Sequence, residues 1–320
     1  MQDTAILVLG EHGPERRERL VTAAAGRPLW FAPHSDPTAG GADFDPAHVR
    51  AVLGAGGPAH LDPFPNVDWV HGAAAGVNAL LTPEVLERRL TITSAAGNGA
   101  VPLAEHALML MLMLNRDALR WLAAQRERRW ERFTHGELAG STVGIIGLGH
   151  SGMDLAAKAK ACHMRVVGLA RTPRPGGADN VDRIYAVEQL HDLLAESDFV
   201  VMTAPYTPST RGLLGAAEFA AMKPSAFYIC FSRGGIADDD ALLAALREGI
   251  IAGAGLDAHA EEPLPPESPF WDLENVIITP HNGATSPGTG ARGFDIMVEN
   301  LTRYTAGEPL RNVVDQDAGY

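Results

Sequence analysis

Gly147, Gly149 and Gly152 stand at the spacing G-x-G-x-x-G in the run Gly147-Leu148-Gly149-His150-Ser151-Gly152. A chain with 34 glycines meets that spacing by chance, so its context decides. Here it follows an apolar strand pattern at 142–146 and opens an alanine-rich helical pattern at 153–162, the setting in which the motif holds a dinucleotide. The first glycine permits the tight turn, the second lets a pyrophosphate approach the backbone, and the third lets helix pack on strand. Free N–H groups and the positive end of the helix dipole complete an anion site that includes His150 and Ser151. The end of the next strand, at 165–169, selects the cofactor. An Asp or Glu there would accept hydrogen bonds from the adenosine ribose and repel a 2′-phosphate, but this chain has Ala170-Arg171-Thr172-Pro173-Arg174. Two guanidiniums and a hydroxyl suit a phosphate. NADP is therefore favoured over NAD, with Arg171, Thr172 and Arg174 as its readers. The bland alternative is a solvated basic loop beside a tolerant NAD site.

Such a turn needs a parallel α/β frame. The first hundred residues alternate strand patterns at 5–9, 51–54, 69–70 and 91–94 with polar or helical stretches such as 14–25, which favours a parallel sheet. Residues 102–119 read as one long helix with Leu103, Ala107, Leu110 and Leu114 on a broad apolar face. Segment 107–114 is apolar nearly all round and is expected to be buried on more than one side, in a domain core or at an interface. Segment 120–133 is charged but carries Trp121, Trp130 and Phe133, the pattern of an arm packing on another surface or of a solvated helix. Strand and helix signals continue from 142 to about 280, followed by a helical stretch from Pro287 through Tyr304 and a polar end.

The 320 residues suggest two domains by length. With 46% hydrophobic and 20% charged residues the composition is that of an ordinary globular protein. The net charge of −13 disfavours nucleic acid and anionic membrane as partners, because the mean field repels phosphate. Any anion site must then supply its own local positive charge. Cys162 and Cys230 lack the spacing of a disulfide framework or a zinc site, and no metal is expected. No apolar stretch has the length of a signal peptide or membrane span, so a cytoplasmic location is the default expectation.

Three further segments carry a resemblance. They are Ser232-Arg233-Gly234-Gly235-Ile236-Ala237-Asp238-Asp239-Asp240-Ala241-Leu242, then Leu256-Asp257-Ala258-His259-Ala260-Glu261-Glu262-Pro263-Leu264-Pro265, then Ser268-Pro269-Phe270-Trp271 continuing to Thr279-Pro280-His281. In that order after the glycine turn, they resemble the D-isomer-specific 2-hydroxyacid dehydrogenases, on the glyoxylate/hydroxypyruvate reductase-like side. The stretch Gly307-Glu308-Pro309-Leu310-Arg311-Asn312-Val313-Val314-Asp315 also looks like this family. The resemblance spans nearly the whole chain, is most specific over 140–281 and is weakest over the first 65 residues.

That resemblance implies a set of roles. His281 would be the general acid toward a 2-oxo acid carbonyl, since imidazolium donates near neutral pH. Glu262 would hydrogen-bond the other ring nitrogen, and family register places the carboxylate immediately before the proline, at Glu262 rather than Glu261. His259 is not expected to act in acid-base chemistry. Arg233 would bind the substrate carboxylate and carbonyl. The three lie 29 and 19 residues apart, so only a fold brings them together. Taken singly, each has a bland reading as a surface Arg, a cap Glu or a core His. Asp257 would contact the nicotinamide carboxamide, its bland reading being a turn or cap acid. Ala75 and Gly76 would offer backbone N–H groups to the substrate carboxylate, Glu105 would serve structure, and Ala204, Pro205 and Thr210 would skirt the cofactor. Phe231, Ser232, Gly283 and Ala284 complete the expected cofactor surround, to which Arg233 and His281 also contribute.

Several positions depart from the family pattern. Cys230 stands where Asn is usual, Ala170 where Asp is common, and Asn78 where Asp is frequent; residues 282–287 also differ. The fold expected is two Rossmann-like α/β domains. A dinucleotide-binding domain at 101–284 would be inserted into a flavodoxin-like substrate domain built from 1–100 and 285–320, with the site in the cleft between them. The expected activity is NAD(P)H-dependent reduction of a small 2-oxo acid to the (R)-2-hydroxy acid by a homodimer. Its interface would use the helix from Pro102 and the 121–133 arm. A dinucleotide-sensing binding protein with vestigial catalysis is the alternative. Formate oxidation is disfavoured, because a Gln would be expected in place of Glu262.

Overall fold

Short apolar runs, many of them β-branched, form parallel strands covered on both faces, which is why they read as continuous hydrophobic stretches and not as alternating ones. The computed structural model describes residues 5–39, 44–171 and 177–319. Thr172 and Arg174 lie outside these described residues. In chain order the elements are β1 (Ala5–Leu9), α1 (Pro14–Ala23), β2 (Leu29–Ala32), β3 (Val49–Ala55), β4 (Trp69–Gly72), α2 (Pro83–Glu87) and β5 (Thr91–Thr93). Then come α3 (Ala100–Asn115), α4 (Ala118–Arg126), β6 (Thr142–Ile146), α5 (His150–Ala161), β7 (Arg165–Leu169), β8 (Arg183–Tyr185), α6 (Leu190–Glu196) and β9 (Phe199–Met202). The remainder is α7 (Ala216–Ala221), β10 (Phe227–Cys230), α8 (Asp239–Arg247), β11 (Gly253–Leu256), β12 (Val276–Ile278) and α9 (Pro287–Ala306).

The chain forms two compact units, Met1–Gly99 with Ser286–Tyr320, and Ala100–Thr285. In the first, five parallel strands run in the order β2-β1-β3-β4-β5, the flavodoxin-like sequence. Phe294, Met297 and Leu301 of α9 close one face of this sheet against Ile6, Val8, Leu20 and Trp69. Segment 312–316 then finishes its far edge: Ser94 N–H donates to the Asn312 carbonyl at 3.1 Å, Val314 N–H to Ile92 at 2.8 Å, and Gln316 Nε2 to Leu90 at 2.7 Å.

The second unit is a seven-stranded parallel sheet in the order β12-β11-β10-β9-β6-β7-β8. The chain winds outward from β6 through β7 and β8, then reverses to β9 and continues to β12. The reversal puts a crevice outside the carboxyl ends of β6 and β9, where open α/β sheets bind ligands. Two apolar clusters, one on each face, form its core.

The expected single helix over 102–119 is in fact two. α3 ends at Asn115, and Asp117 takes a left-handed conformation at φ 49° before α4, which a short polar side chain tolerates better than most. Gly136 N–H donates to the Asn115 carbonyl at 3.0 Å and ties the break in place. Nor is 107–114 buried all round within the chain. Ala107, Leu110 and Met111 are buried, while Met109 and Leu112 stay about 40% exposed. β2 had no counterpart among the sequence expectations, although Leu29–Ala32 lies between Pro28 and Pro33 as a short apolar run.

Candidate active site

β6 ends in the glycine turn, and each glycine has a distinct surrounding. Gly147 has φ +108°, and a Cβ there would stand 2.8 Å from the Ala204 nitrogen. At Gly152 a Cβ would collide with the Gly147 carbonyl oxygen. Around Gly149 a Cβ would meet no atom within 4 Å. Two glycines are thus required for packing and the middle one borders open space. Gly149 is also the N-cap of α5 and makes no side-chain cap bond, so the first N–H groups of that helix, around His150 and Ser151, face outward as an anion site. The donor set fits a dinucleotide pyrophosphate.

The neighbouring loops are built to hold still. Thr203 Oγ1 donates to the Gly147 carbonyl. Thr210 Oγ1 donates to the Pro205 carbonyl at 2.7 Å and accepts from Thr207 N–H at 2.8 Å. Ala204 is buried and Pro205 exposed. Ala170 N–H donates to Tyr185 at 3.1 Å, and Arg171 is exposed immediately beyond β7.

β10 delivers Phe231, Ser232 and Arg233. The Cys230 thiol, its pKa raised by burial, donates to the Arg233 carbonyl at 3.5 Å and braces the turn. Arg233 is half-buried, with Nη1 donating to the Ser232 carbonyl at 2.7 Å. A side chain at Gly234 would run into the backbone of His259 and Ala260. That close approach sets the Arg233 turn directly against the loop carrying Glu262.

The two carboxylate oxygens of Glu262 are both used. Oε1 accepts from His259 N–H at 2.9 Å, and Oε2 accepts from His281 Nδ1–H at 2.7 Å. It is Glu262, not Glu261, that meets the ring. Burial alone would raise the Glu262 pKa, but the His259 amide, the His281 bond and the nearby imidazoles outweigh it, so the carboxyl titrates below its ordinary value. With Nδ1 occupied, His281 Nε2 is the nitrogen left to exchange a proton. Roughly two-fifths of each side chain is solvent-accessible, so the pair is reachable from outside.

His281 has φ +50°, a left-handed conformation uncommon for a residue with a side chain. Its N–H closes a three-residue turn about Pro280 onto the Thr279 carbonyl at 3.0 Å. Just beyond it, Asn282 N–H donates to Asp257 Oδ1 and Gly283 N–H to Asp257 Oδ2, each at 2.9 Å. Thr279 Oγ1 donates to Asp257 Oδ1 at 2.6 Å. Asp257 is wholly buried and anchors the loop that bears His281. Sequence reasoning did not reach Gly234, Thr279 or His106 as parts of this site. Only the Gly234-Gly235 pair after Arg233 gave a local signal.

In the other unit, Ala75 and Gly76 are exposed after β4. Ala73 N–H donates to Ala55 at 3.0 Å and the Ala74 carbonyl accepts from Ala95 at 3.1 Å. The N–H groups of Ala75 and Gly76 have no acceptor among the described residues.

Comparison with known proteins gives the chain a family and a fold. Residues 108–283 match the family model described as D-isomer specific 2-hydroxyacid dehydrogenase, NAD binding domain. A solved D-isomer specific 2-hydroxyacid dehydrogenase from Xanthobacter autotrophicus Py2, in complex with NADPH and MES, superposes with a TM-score of 0.84 at 34% identity, covering 98% of this chain and 99% of that one. The NADPH-dependent glyoxylate/hydroxypyruvate reductase SmGhrA of Sinorhizobium meliloti, solved with NADP and sulfate, gives 0.83 at 30% identity, covering 99% and 100%. A D-3-phosphoglycerate dehydrogenase of Archaeoglobus fulgidus is 32% identical over 252 residues, 78% of this chain but only 47% of that protein. The chain thus spans about half the length of that relative.

Proposed function

The chain belongs to the D-isomer-specific 2-hydroxyacid dehydrogenase family, and from that premise we propose that it reduces a small 2-oxo acid to the (R)-2-hydroxy acid with NAD(P)H. The observation that carries the proposal is the His281–Glu262 pair at 2.7 Å, held beside the Arg233 turn by the close approach at Gly234. Arg233 takes the substrate carboxylate and polarises the adjacent carbonyl, orienting C2. When bound, the reduced nicotinamide supplies the hydride that forms the new C2–H bond. As the carbonyl π bond breaks, His281 Nε2 gives its proton to the oxygen. Glu262 holds the ring through Nδ1 and so directs Nε2 to the carbonyl oxygen. In the oxidation direction His281 takes the proton back.

Gly147, Gly149, His150, Ser151 and Gly152 would hold the pyrophosphate. Arg171, with Thr172 and Arg174, would read a 2′-phosphate, and the absence of an acid at Ala170 favours NADP over NAD. The NADPH and NADP in the complexes of the two solved relatives support that preference. Ala204, Pro205, Thr210, Phe231, Ser232, Gly283 and Ala284 would complete the cofactor surround, and Asp257 is the residue that the family resemblance assigns to the carboxamide. Ala75 and Gly76 would offer their backbone N–H groups to the substrate carboxylate, as the family resemblance implies. Glyoxylate and hydroxypyruvate are the first candidates, following the substrate names of the Sinorhizobium meliloti enzyme. A homodimer through α3 and the following arm accounts for the exposure of Met109, Leu112, Trp121, Leu122 and Trp130, the last 95% accessible.

A panel of 2-oxo acids assayed with NADH and NADPH in parallel, with chiral analysis of the product, tests the proposal. Turnover of at least one member to the R product with NADPH preferred is expected. Tight NADPH binding with no turnover on any member would overturn it in favour of a dinucleotide sensor.

A further inference from the structure

The N-terminal part of α3 carries a residue that the reaction as described leaves unused. Gly255 in β11 lets α3 come close, since a Cβ there would lie 3.0 Å from Leu110 Cβ. His106 is four residues before Leu110, on the same helix face, and so reaches the carboxyl end of β11 where Asp257 follows. Its Nε2 lies 3.0 Å from Thr279 Oγ1 and 3.5 Å from Asp257 Oδ1. The Thr279 hydroxyl spends its only proton on Asp257 Oδ1 at 2.6 Å. The hydrogen between the ring and the hydroxyl must therefore belong to His106 Nε2, which donates.

From this network we propose that His106 and Thr279 are positioning residues that hold His281 through Asp257, an inference that rests on the assignment of His281 as the acid. The chain of contacts is continuous. His106 fixes the direction of the Thr279 hydroxyl, and the hydroxyl holds one oxygen of a buried carboxylate. That carboxylate grips the N–H groups of Asn282 and Gly283, the two residues after a histidine in a left-handed conformation. The packing behind the loop is close: a Cβ at Gly283 would stand 2.8 Å from Asp257 Oδ2 and 3.2 Å from His106 Cδ2. A left-handed non-glycine residue persists only where its surroundings over-determine it, and this network does so. Glu262 orients the ring from one side, while His106 and Thr279 hold the backbone from the other. With the donor removed, Thr279 is free to turn away from the carboxylate.

Two kinds of measurement test this. In the protein without cofactor or substrate, His106→Leu and Thr279→Val should speed amide hydrogen exchange at Asn282 and Gly283 at least tenfold, with the strands of the same sheet unchanged. Thr279→Ser and His106→Gln, which restore a hydroxyl and an N–H donor, should bring exchange back toward the wild-type rate. In turnover, Thr279→Val should lower kcat roughly 10- to 100-fold, as a sub-ångström to 1 Å misplacement does, with KM little changed and a larger solvent deuterium isotope effect. Wild-type exchange at 282 and 283 in both Leu and Val variants would overturn the proposal. So would acceleration spread evenly over the whole sheet, or a fall in kcat matched by lost folded protein with the isotope effect unmoved. Failure of the acid assignment would instead appear as wild-type turnover in His281→Ala, whatever the exchange rates.

Discussion

Gly149→Ala should separate cofactor binding from folding. Gly149 has φ −82° and ψ −163°, backbone that alanine adopts without strain, and a Cβ there meets no atom within 4 Å. Replacing a glycine at such a position stabilises a protein by about 0.4–1 kcal/mol, because the unfolded chain loses freedom. The unfolding midpoint should therefore hold or rise. The new methyl stands where a pyrophosphate must approach the α5 amides. A hydrogen bond to a charged group is worth about 1.5–3 kcal/mol, so one lost bond weakens NADPH roughly 10- to 150-fold. Gly152→Ala is the counterpart: its Cβ collides with the Gly147 carbonyl, and overpacking of that kind costs about 1–3 kcal/mol. Stability and binding should then fall together. Urea unfolding of the cofactor-free protein and fluorescence titration with NADPH measure the two quantities. Wild-type NADPH affinity in Gly149→Ala would refute the placement of the pyrophosphate, and a loss of more than about 1 kcal/mol of stability would refute the open space.

Three other outcomes are expected. His281→Ala should lower kcat by about 10²–10⁴ with NADPH binding nearly intact, and steady-state kinetics with direct cofactor titration would reveal wild-type turnover if the acid lies elsewhere. Arg171→Ala should weaken NADPH much more than NADH; equal losses in parallel titrations would mean that this loop does not read the 2′-phosphate. His71 is wholly buried within β4, its pKa pushed down to about 4 by loss of solvent, with Nδ1 against Thr93 Oγ1 at 2.8 Å. Since the unfolded imidazole titrates near 6.5, the unfolded state binds more protons than the folded one between pH 6.5 and 4. Stability of that unit should drop by up to ~3 kcal/mol as pH falls through this window. His71→Gln should flatten the slope, and an unchanged dependence of the urea midpoint on pH would count against it.

What could be read from the sequence follows from where each signal lies along the chain. The glycine turn was legible because all its parts are contiguous: a strand, three glycines and a helix in one stretch of about twenty residues. Arg233, Glu262 and His281 were legible by resemblance, since each sits in a local motif although no spacing rule joins them. The grip of Asp257 on the His281 loop was not. Its partners come from 22 to 26 residues downstream and, through Thr279, from a helix 173 residues away. In its local motif Asp257 reads either as a carboxamide contact or as a turn acid, and the loop it holds lies too far along the chain to mark it. The break at Asp117 leaves no mark in the sequence because apolar periodicity runs on through Leu119, whereas the left-handed residue is fixed by Asn115 meeting Gly136. β2 carries too little pattern to stand out, because it is only four residues between prolines.

The division of the chain also sets an order of events during synthesis. Residues 286–319, which close one face of the first sheet and finish its β5 edge, emerge only after the 186 residues of Ala100–Thr285. At about 5–20 residues per second, that delay is roughly 10–40 s. At the end of that interval the inserted unit holds every residue of its own two clusters, while Ile6, Val8 and Trp69 still wait for Phe294, Met297 and Leu301. The nascent chain therefore carries a folded nucleotide-binding half and an apolar, half-built sheet at the same time. On the ribosome, its need for chaperone cover falls on the part made first.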